Sequence, residues 1–279
     1  MAVQDYSIDE HRKMNIPPET FMRVPHKLME TFVCQVASAS GMDHEKAALL
    51  ARLLTENDLR GTFSHGTQMI AEYSRRIRDK VVNPVPVVRV VRETPVSLLV
   101  DGDGGLGYFP AYEGTVKAIE KAKAHGIAVM VTRNHDHIGA AGIYTRMTLE
   151  HDLLAMITAG SQLQLDLQPG QPAFAPAVGS PLSFSAPAGE KDPFVLDFGA
   201  LYDLRTSPRY EDIVKWLPGT VFRCIGLGVV SQVWGGLLAG LSADKSRSSP
   251  DQSNDGSVLI TFQIGLFTDP VEFKYEMDE

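Results

Sequence analysis

Two short stretches of the sequence combine histidine with small or polar neighbours, as groups that move protons often do. Ser64-His65-Gly66 follows Leu59-Arg60-Gly61, so we expect His65 on exposed, sharply turned backbone rather than in an apolar stripe. An imidazole in such a place can titrate near neutral pH and act as a proton donor to a carbonyl group. The alternative is a histidine that only caps the loop.

The second stretch, Asn134-His135-Asp136-His137, comes directly after an apolar strand, where α/β folds usually place functional groups. Two histidines this close on a turn could share a zinc or iron ion. The sequence shows no third and fourth ligand nearby, so we predict no metal site. Asp197 ends another apolar strand and could either orient a histidine or occupy a turn.

A glycine-rich loop, Asp101-Gly-Asp-Gly-Gly-Leu-Gly107, superficially resembles a phosphate-binding fingerprint. Its spacing does not match G-x-G-x-x-G, and no acidic residue follows at the required distance. The sequence therefore does not support a classical Rossmann nucleotide site, and a tight turn explains the loop equally well.

The elements that must position these residues change in type along the chain. Residues 1–19 form a polar tail, and residues 20–95 have the periodicity of a helical N-terminal part. Residues 96–257 alternate apolar strands with loops and helices, which predicts an α/β domain. The Pro-, Gly-, Ser- and Gln-rich residues 159–192 are predicted to form a long loop covering a site. After a final strand at 258–267 we expect a short acidic tail.

Bulk properties restrict the partners and the compartment. The net charge is −8 without a long run of like charges, which argues against nucleic acid because phosphate binding needs a concentrated basic face. Two cysteines, Cys34 and Cys224, are too few for a disulfide framework and favour a reducing, cytoplasmic location. Residues 225–241 contain five glycines, so we predict a buried helix and no membrane span.

Four stretches together resemble the malate/L-lactate dehydrogenase family of NAD(P)-dependent reductases, which includes ureidoglycolate dehydrogenase, diketogulonate reductase and piperideine-carboxylate reductase. The stretches are Asp58–Gly66, Asp101–Gly107, Asn134–Gly142 and Gly226–Gly240. The resemblance implies a mixed-sheet α/β domain of the L-sulfolactate/malate dehydrogenase-like type, which is not a Rossmann fold. It also implies a helical N-terminal part packed with residues 258–279, and a homodimer with active sites near the subunit interface.

The resemblance also implies a role for each matching residue. His65 matches the proton donor to the substrate carbonyl, with Ser64, Asp197 and His137 as further catalytic residues. The substrate-side positions are Tyr73, Asn134 and Met69. The cofactor-side positions are His137, Ser161, Gly179, Ser180 and Arg223. Bound NAD or NADP would supply the hydride in a reversible reaction with a small molecule, either a 2-oxo acid, a 2-hydroxy acid or the related imine.

Several residues depart from the family pattern. Met69 stands where family members usually carry an arginine that grips the substrate carboxylate. Gly179-Ser180-Pro181 lacks the asparagine of the usual Gly-Thr-Asn-Pro loop, and Arg223-Cys224 replaces a Lys-Gly pair. Gln232 replaces a glutamate, and the chain between Asp197 and Arg223 is shorter than usual.

Three hypotheses about function follow from these residues. The first is an NAD(P)-dependent reductase with an altered, less acidic substrate. The second is a lyase, isomerase or hydrolase that uses the same histidines without nicotinamide, which Met69 and the shortened cofactor region favour. The third is a catalytically silent binding or regulatory subunit. The retained polar residues, such as His65 and Tyr73, argue against the third, because a silent scaffold has no need for a polar cleft.

Overall fold

The computed structural model describes residue 15 and residues 20–161, 180–200, 210–241 and 254–279. The chain divides into two compact units, one ending at Val85 and the other beginning at Pro86. The predicted fold class is confirmed: a helical N-terminal part precedes a mixed-sheet α/β part that is not a classical Rossmann fold. The helical part ends earlier than residue 95, because residues 89–94 form a strand of the sheet.

The described residues of the first unit form three helices and one tight turn. The helices are α1 (His26–Ala39), α2 (His44–Leu59) and α3 (Met69–Arg78). Helix α2 begins after Asp43, whose side chain accepts a hydrogen bond from the amide of Lys46, the usual contact of an N-cap residue. A 3-10 turn, Phe63–His65, connects α2 to α3. This turn places His65 directly beyond the end of α2.

The second unit is built on a seven-stranded sheet with the order β1-β2-β3-β7-β4-β5-β6. The strands are β1 (Arg89–Thr94), β2 (Ser97–Asp101), β3 (Ile127–His135), β4 (Leu153–Ser161), β5 (Pro181–Ala186), β6 (Phe194–Gly199) and β7 (Asp255–Gln263). Among the strands of the described residues, only the β2–β3 pair is parallel. A Rossmann sheet is mostly parallel, so the pairing itself separates the two folds.

In the described part of the second unit, five helices accompany the sheet: α4 (Tyr108–His125), α5 (Gly142–Arg146), α6 (Tyr210–Trp216), α7 (Pro218–Ser231) and α8 (Pro270–Asp278). Helix α4 packs closely against the sheet at Gly114, where an added Cβ would lie 2.4 Å from the sulfur of Met130 on β3. It ends at Gly126, whose φ of 88° is the left-handed conformation that favours glycine.

Three described elements of the second unit were not predicted from the sequence. Strand β5 lies in the segment predicted as a loop, of which residues 162–179 are outside the described residues. Helix α6 was not predicted. Helix α8 replaces the expected acidic tail, and its start signal is present in the sequence: Asp269 caps the amides of Val271 and Glu272, and Pro270 follows the cap.

Helix α7 continues into a π-helical turn (Gln232–Gly236) and a 3-10 turn (Leu237–Ala239). In the part of the chain that the structure describes, Pro218–Ala239 is the one helical stretch whose length and composition would allow it to cross a membrane. The predicted burial is only partial, since Phe222 and Leu238 are exposed. Gly235 packs tightly against β4, where a Cβ on this residue would lie 2.4 Å from the Gly160 nitrogen.

Candidate active site

Ser64 and His65 form a hydrogen-bonded pair in the turn between α2 and α3. Ser64 Oγ lies 2.8 Å from His65 Nδ1. A hydroxyl can donate to a neutral imidazole and accept from a protonated one, so this contact suits both protonation states. Burial lowers the pKa of His65 from its ordinary value. The pair therefore has the geometry of an oriented acid–base group.

The end of α2 fixes the turn that carries this pair. Asn57, which is buried, donates through Nδ2 to the carbonyl of His65 at 2.9 Å. Asp58 accepts from the amide of Thr67 at 3.1 Å and from its hydroxyl at 2.5 Å. Burial raises the pKa of Asp58, and the Thr67 bonds oppose that shift. A Cβ on Gly66 would lie 1.6 Å from Asp58 Oδ1, so any other residue there would displace the Asp58 carboxylate.

Met69 and Tyr73 lie one turn apart on α3. Met69 is partly buried and Tyr73 is 1% exposed. The methionine carries no charge, so its position offers nothing to bind a carboxylate. Contact of either residue with a substrate remains a prediction.

The glycine-rich loop of the second unit supports the Asn134–His137 turn. Four backbone hydrogen bonds of 2.8 to 3.1 Å run between them, from the amides of Gly102, Gly104, Asp136 and Gly107 to the carbonyls of Arg133, Asn134, Gly105 and His137, respectively. A Cβ on Gly107 would lie 2.3 Å from the Asp136 carbonyl oxygen. The glycines are thus required for close backbone approach, and the tight-turn interpretation explains this loop.

The side chain of Asn134 is bound to the first residue of that loop. Its Nδ2 donates to Asp101 Oδ1 at 2.8 Å, and Arg133 Nε donates to Asp101 Oδ2 at 2.9 Å. Burial raises the pKa of Asp101, but hydrogen bonds from Asn134, Asp103 and Arg133 outweigh it and lower the pKa overall. Asn134 adopts a φ of 53°, which asparagine tolerates better than most residues. Its predicted substrate contact remains a prediction.

His135 is fully buried, and both of its ring nitrogens have partners. Nδ1 lies 2.7 Å from the carbonyl oxygen of Asp136, and Nε2 lies 2.7 Å from Thr132 Oγ1. Burial lowers its pKa to about 4. A ring engaged at both nitrogens cannot coordinate a metal together with His137. Among the described residues, no group of three or more His, Cys, Asp or Glu side chains could hold a metal ion.

Asp197 on β6 caps the short helix α5. Its Oδ2 accepts from the amide of Gly142 at 2.8 Å, and burial raises the pKa of the carboxyl group. This contact is the turn-supporting role that the sequence left open. A pairing of Asp197 with His65 remains a prediction, as does the cleft shared by His65 and the Asn134–His137 turn.

Gln232 connects two of the residues predicted on the cofactor side. The amide of Ser161, at the end of β4, donates to Gln232 Oε1, and Gln232 Nε2 donates to Ser180 Oγ, both at 3.0 Å. Ser180 is buried, so its hydroxyl supports the site from within. Sequence analysis recognised Gln232 only as a replacement and missed this bridge. Gly179 lies outside the described residues.

Two of the residues predicted on the cofactor side, Ser161 and Arg223, are exposed. Helix α7, which carries Arg223, packs against β4 and β5. A guanidinium group and a hydroxyl are donors of the kind that bind the phosphates and ribose of a dinucleotide. That these two residues hold the cofactor remains a prediction.

The chain is similar in sequence to known dehydrogenases. The sequence profile described as malate/L-lactate dehydrogenase matches residues 24–200. The chain is 36% identical over 186 residues to a malate dehydrogenase of Pyrococcus horikoshii, covering 64% of this chain and 49% of that protein. It is 25% identical over 284 residues to an L-sulfolactate dehydrogenase of Methanocaldococcus jannaschii, covering 88% and 79%. The match thus spans about half the length of the first of these relatives.

A solved structure agrees with these sequence matches. The structure of malate dehydrogenase from Pyrococcus horikoshii superimposes with a TM-score of 0.77 at 27% identity, covering 94% of this chain and 81% of that one.

Proposed function

The chain belongs to the malate/L-lactate dehydrogenase family of NAD(P)-dependent dehydrogenases and reductases, and we propose that it interconverts a small carbonyl or imine compound and its reduced form. The substrate class is a 2-oxo acid, a 2-hydroxy acid or a related compound of lower charge. The observation that carries the proposal is the Ser64–His65 pair at 2.8 Å on a turn that Asn57 and Asp58 fix from behind.

His65 serves as the proton donor in this proposal. During reduction a hydride is added to the carbonyl carbon, and the oxygen takes a proton from the protonated imidazole. The transferred proton leaves from Nε2, because Nδ1 is hydrogen-bonded to Ser64. Nδ1–H donates to Ser64 Oγ both before and after the transfer. The hydrogen bond from Asn57 keeps the backbone of His65 in place during this exchange. Oxidation runs the same steps in reverse.

NAD or NADP supplies the hydride when it is bound. Arg223 and Ser161 are the exposed groups that would hold its phosphates and ribose, and Gln232 keeps the ends of β4 and β5 together beneath them. His137 and Asn134 would line the pocket on the side of the glycine-rich loop. The predicted homodimer would complete the site near the subunit interface.

Because residue 69 is a methionine, we prefer a substrate that is less acidic or has no carboxylate. A guanidinium at this place could form two parallel hydrogen bonds with a carboxylate, whereas a thioether offers only dispersion contacts. We therefore expect Met69→Arg to lower KM for 2-oxo acids by roughly tenfold or more, the equivalent of one charged hydrogen bond of about 1.5 kcal/mol. Steady-state kinetics with matched acid and amide substrates measures this. An equal change for both substrates would contradict the assignment of Met69.

Nucleotide binding is the direct test of the proposed reaction. NADH or NADPH at about 100 times its dissociation constant should add about 2.7 kcal/mol to stability, and a thermal shift measures it. Arg223→Gln should reduce the shift, with Arg92→Gln on the strand β1 as a charge-matched control. No shift with either nucleotide at millimolar concentration would favour a nicotinamide-independent acid–base reaction.

His65 can be tested once a substrate is found. His65→Ala should lower kcat by roughly 10² to 10⁴-fold, the usual contribution of a general acid. An unchanged kcat would remove His65 from the mechanism without affecting the nucleotide result.

A further inference from the structure

The imidazole of His135 lies in the interior, beneath the turn that carries Asn134 and His137. It is 0% exposed, as are Thr132 on the same strand and Ser257 on β7. Thr132 Oγ1 contacts both His135 Nε2, at 2.7 Å, and Ser257 Oγ, at 2.6 Å. The three side chains form a continuous chain of hydrogen bonds that ends at the Asp136 carbonyl oxygen.

The Asp136 carbonyl, at one end of this series of hydrogen bonds, determines which atom donates and which accepts in each of them. A carbonyl oxygen can only accept, so His135 Nδ1 must carry a proton. In the neutral ring Nε2 is then an acceptor, which requires the hydroxyl of Thr132 to donate to it. Because that proton is used, Thr132 Oγ1 accepts from the hydroxyl of Ser257. The low pKa of His135, about 4, agrees with a ring that stays neutral.

We propose that His135 is a positioning residue, which in its neutral Nδ1–H form fixes the peptide group between Asp136 and His137 and thereby the direction of the His137 side chain. The carbonyl of that peptide group accepts from His135 Nδ1. Its N–H, on His137, donates to Asp136 Oδ1 at 2.5 Å. The next carbonyl, that of His137, accepts from the amide of Gly107 at 3.1 Å. The backbone entering and leaving His137 is therefore fixed at three successive groups.

The glycine-rich loop lies close against the His135 ring. A Cβ on Gly102 would lie 2.8 Å from His135 Cβ, and a Cβ on Gly107 would lie 2.7 Å from His135 Nδ1. The glycine-rich loop thus forms a slot for this imidazole. A supporting group of this kind controls how precisely the residue above it is held. That His137 acts in the reaction rests on the proposed function, whereas the tautomer and the fixed turn do not.

Nuclear magnetic resonance tests the tautomer independently of any activity. The full chain is labelled with ¹⁵N-histidine, and the His135 signals are identified by their loss in His135→Asn. We expect long-range ¹H–¹⁵N spectra to show a protonated Nδ1 and an unprotonated Nε2 from pH 7 to pH 5. The proton on Nε2, or a ring that becomes charged in this range, would overturn the proposal.

Kinetics tests the positioning role. His135→Leu removes both hydrogen bonds and should lower kcat by up to roughly 10²-fold, the effect of a small misplacement. His135→Asn keeps an N–H near the position of Nδ1, so it should recover most of that loss. Thr261→Val removes a different buried hydrogen bond, to Leu154, and should leave kcat close to wild type. Equal losses in the Leu and Asn variants would refute the role of the Nδ1–H bond.

The two proposals fail in different ways. If the chain has no dehydrogenase activity, the His137 ring signals still report on the turn, and in His135→Leu they should shift and broaden. Unchanged His137 signals in that variant would overturn the positioning role whether or not a substrate is known.

Discussion

Lowering the pH should reduce the free energy of unfolding of the second unit, because His135 has a lower pKa in the folded chain than in the unfolded chain. The folded pKa of this residue is about 4, and its ordinary value is 6.5. As pH falls below 6.5 the unfolded chain takes up a proton that the folded chain does not, so the stabilising contribution is present above pH 6.5 and is lost towards pH 4. These two values give a loss of about 2 kcal/mol between pH 7 and pH 5, and of about 3 kcal/mol by pH 4.

Urea unfolding at pH 7 and pH 5, at constant ionic strength, measures this loss. The chain has two tryptophans, Trp216 and Trp234, and both belong to the second unit, so their fluorescence reports on the part that contains His135. His135→Asn lacks the titrating group and should lose about 2 kcal/mol less than wild type over this range. Thr261→Val, which is destabilised without losing a titratable group, should keep the wild-type pH dependence. Identical pH dependence in wild type and His135→Asn would refute the assignment of a low pKa to this ring.

Three further predictions concern the site residues. Because burial lowers the pKa of His65, kcat/KM for carbonyl reduction should fall as pH rises through a value below 6.5, while oxidation rises; a profile flat from pH 5 to 8 would count against proton donation. Gly66→Ala displaces Asp58 and should cost roughly 1–3 kcal/mol in urea unfolding, whereas Gly226→Ala, with open space around it, should not destabilise. Gln232→Leu should weaken nucleotide binding in a titration, and unaltered affinity would show that its bridge is not needed.

The features that were predicted best are those determined by residues close together in the sequence. The apolar run before Asn134 is a local signal, and strand β3 formed where it was expected. Strand β5 could not be predicted in the same way, because its stability comes from pairing with β4 and β6. The glycine-rich loop was ambiguous for a similar reason: its hydrogen-bond partners lie some thirty residues further along, in the Asn134–His137 turn.

The candidate site was predictable by residue type but not by contact. The hydrogen bond between Ser64 and His65 follows from their adjacency. Gln232, which lies far from both residues in the sequence, joins Ser161 to Ser180. The spacing of the three residues does not predict this contact. Asp197 shows the opposite case, since the structure gives it a capping contact with Gly142 where sequence allowed either of two roles.

The position of β7 affects how the second unit can assemble. This strand follows every other strand in the chain, yet it lies between β3 and β4 and pairs with both. Until it is in place, the three strands on one side and the three on the other share no hydrogen bonds and leave two long unpaired edges, which readily bind other chains. A ribosome must therefore release nearly the whole unit before the sheet can close, and shortening the chain before residue 255 should produce aggregation rather than a smaller folded protein.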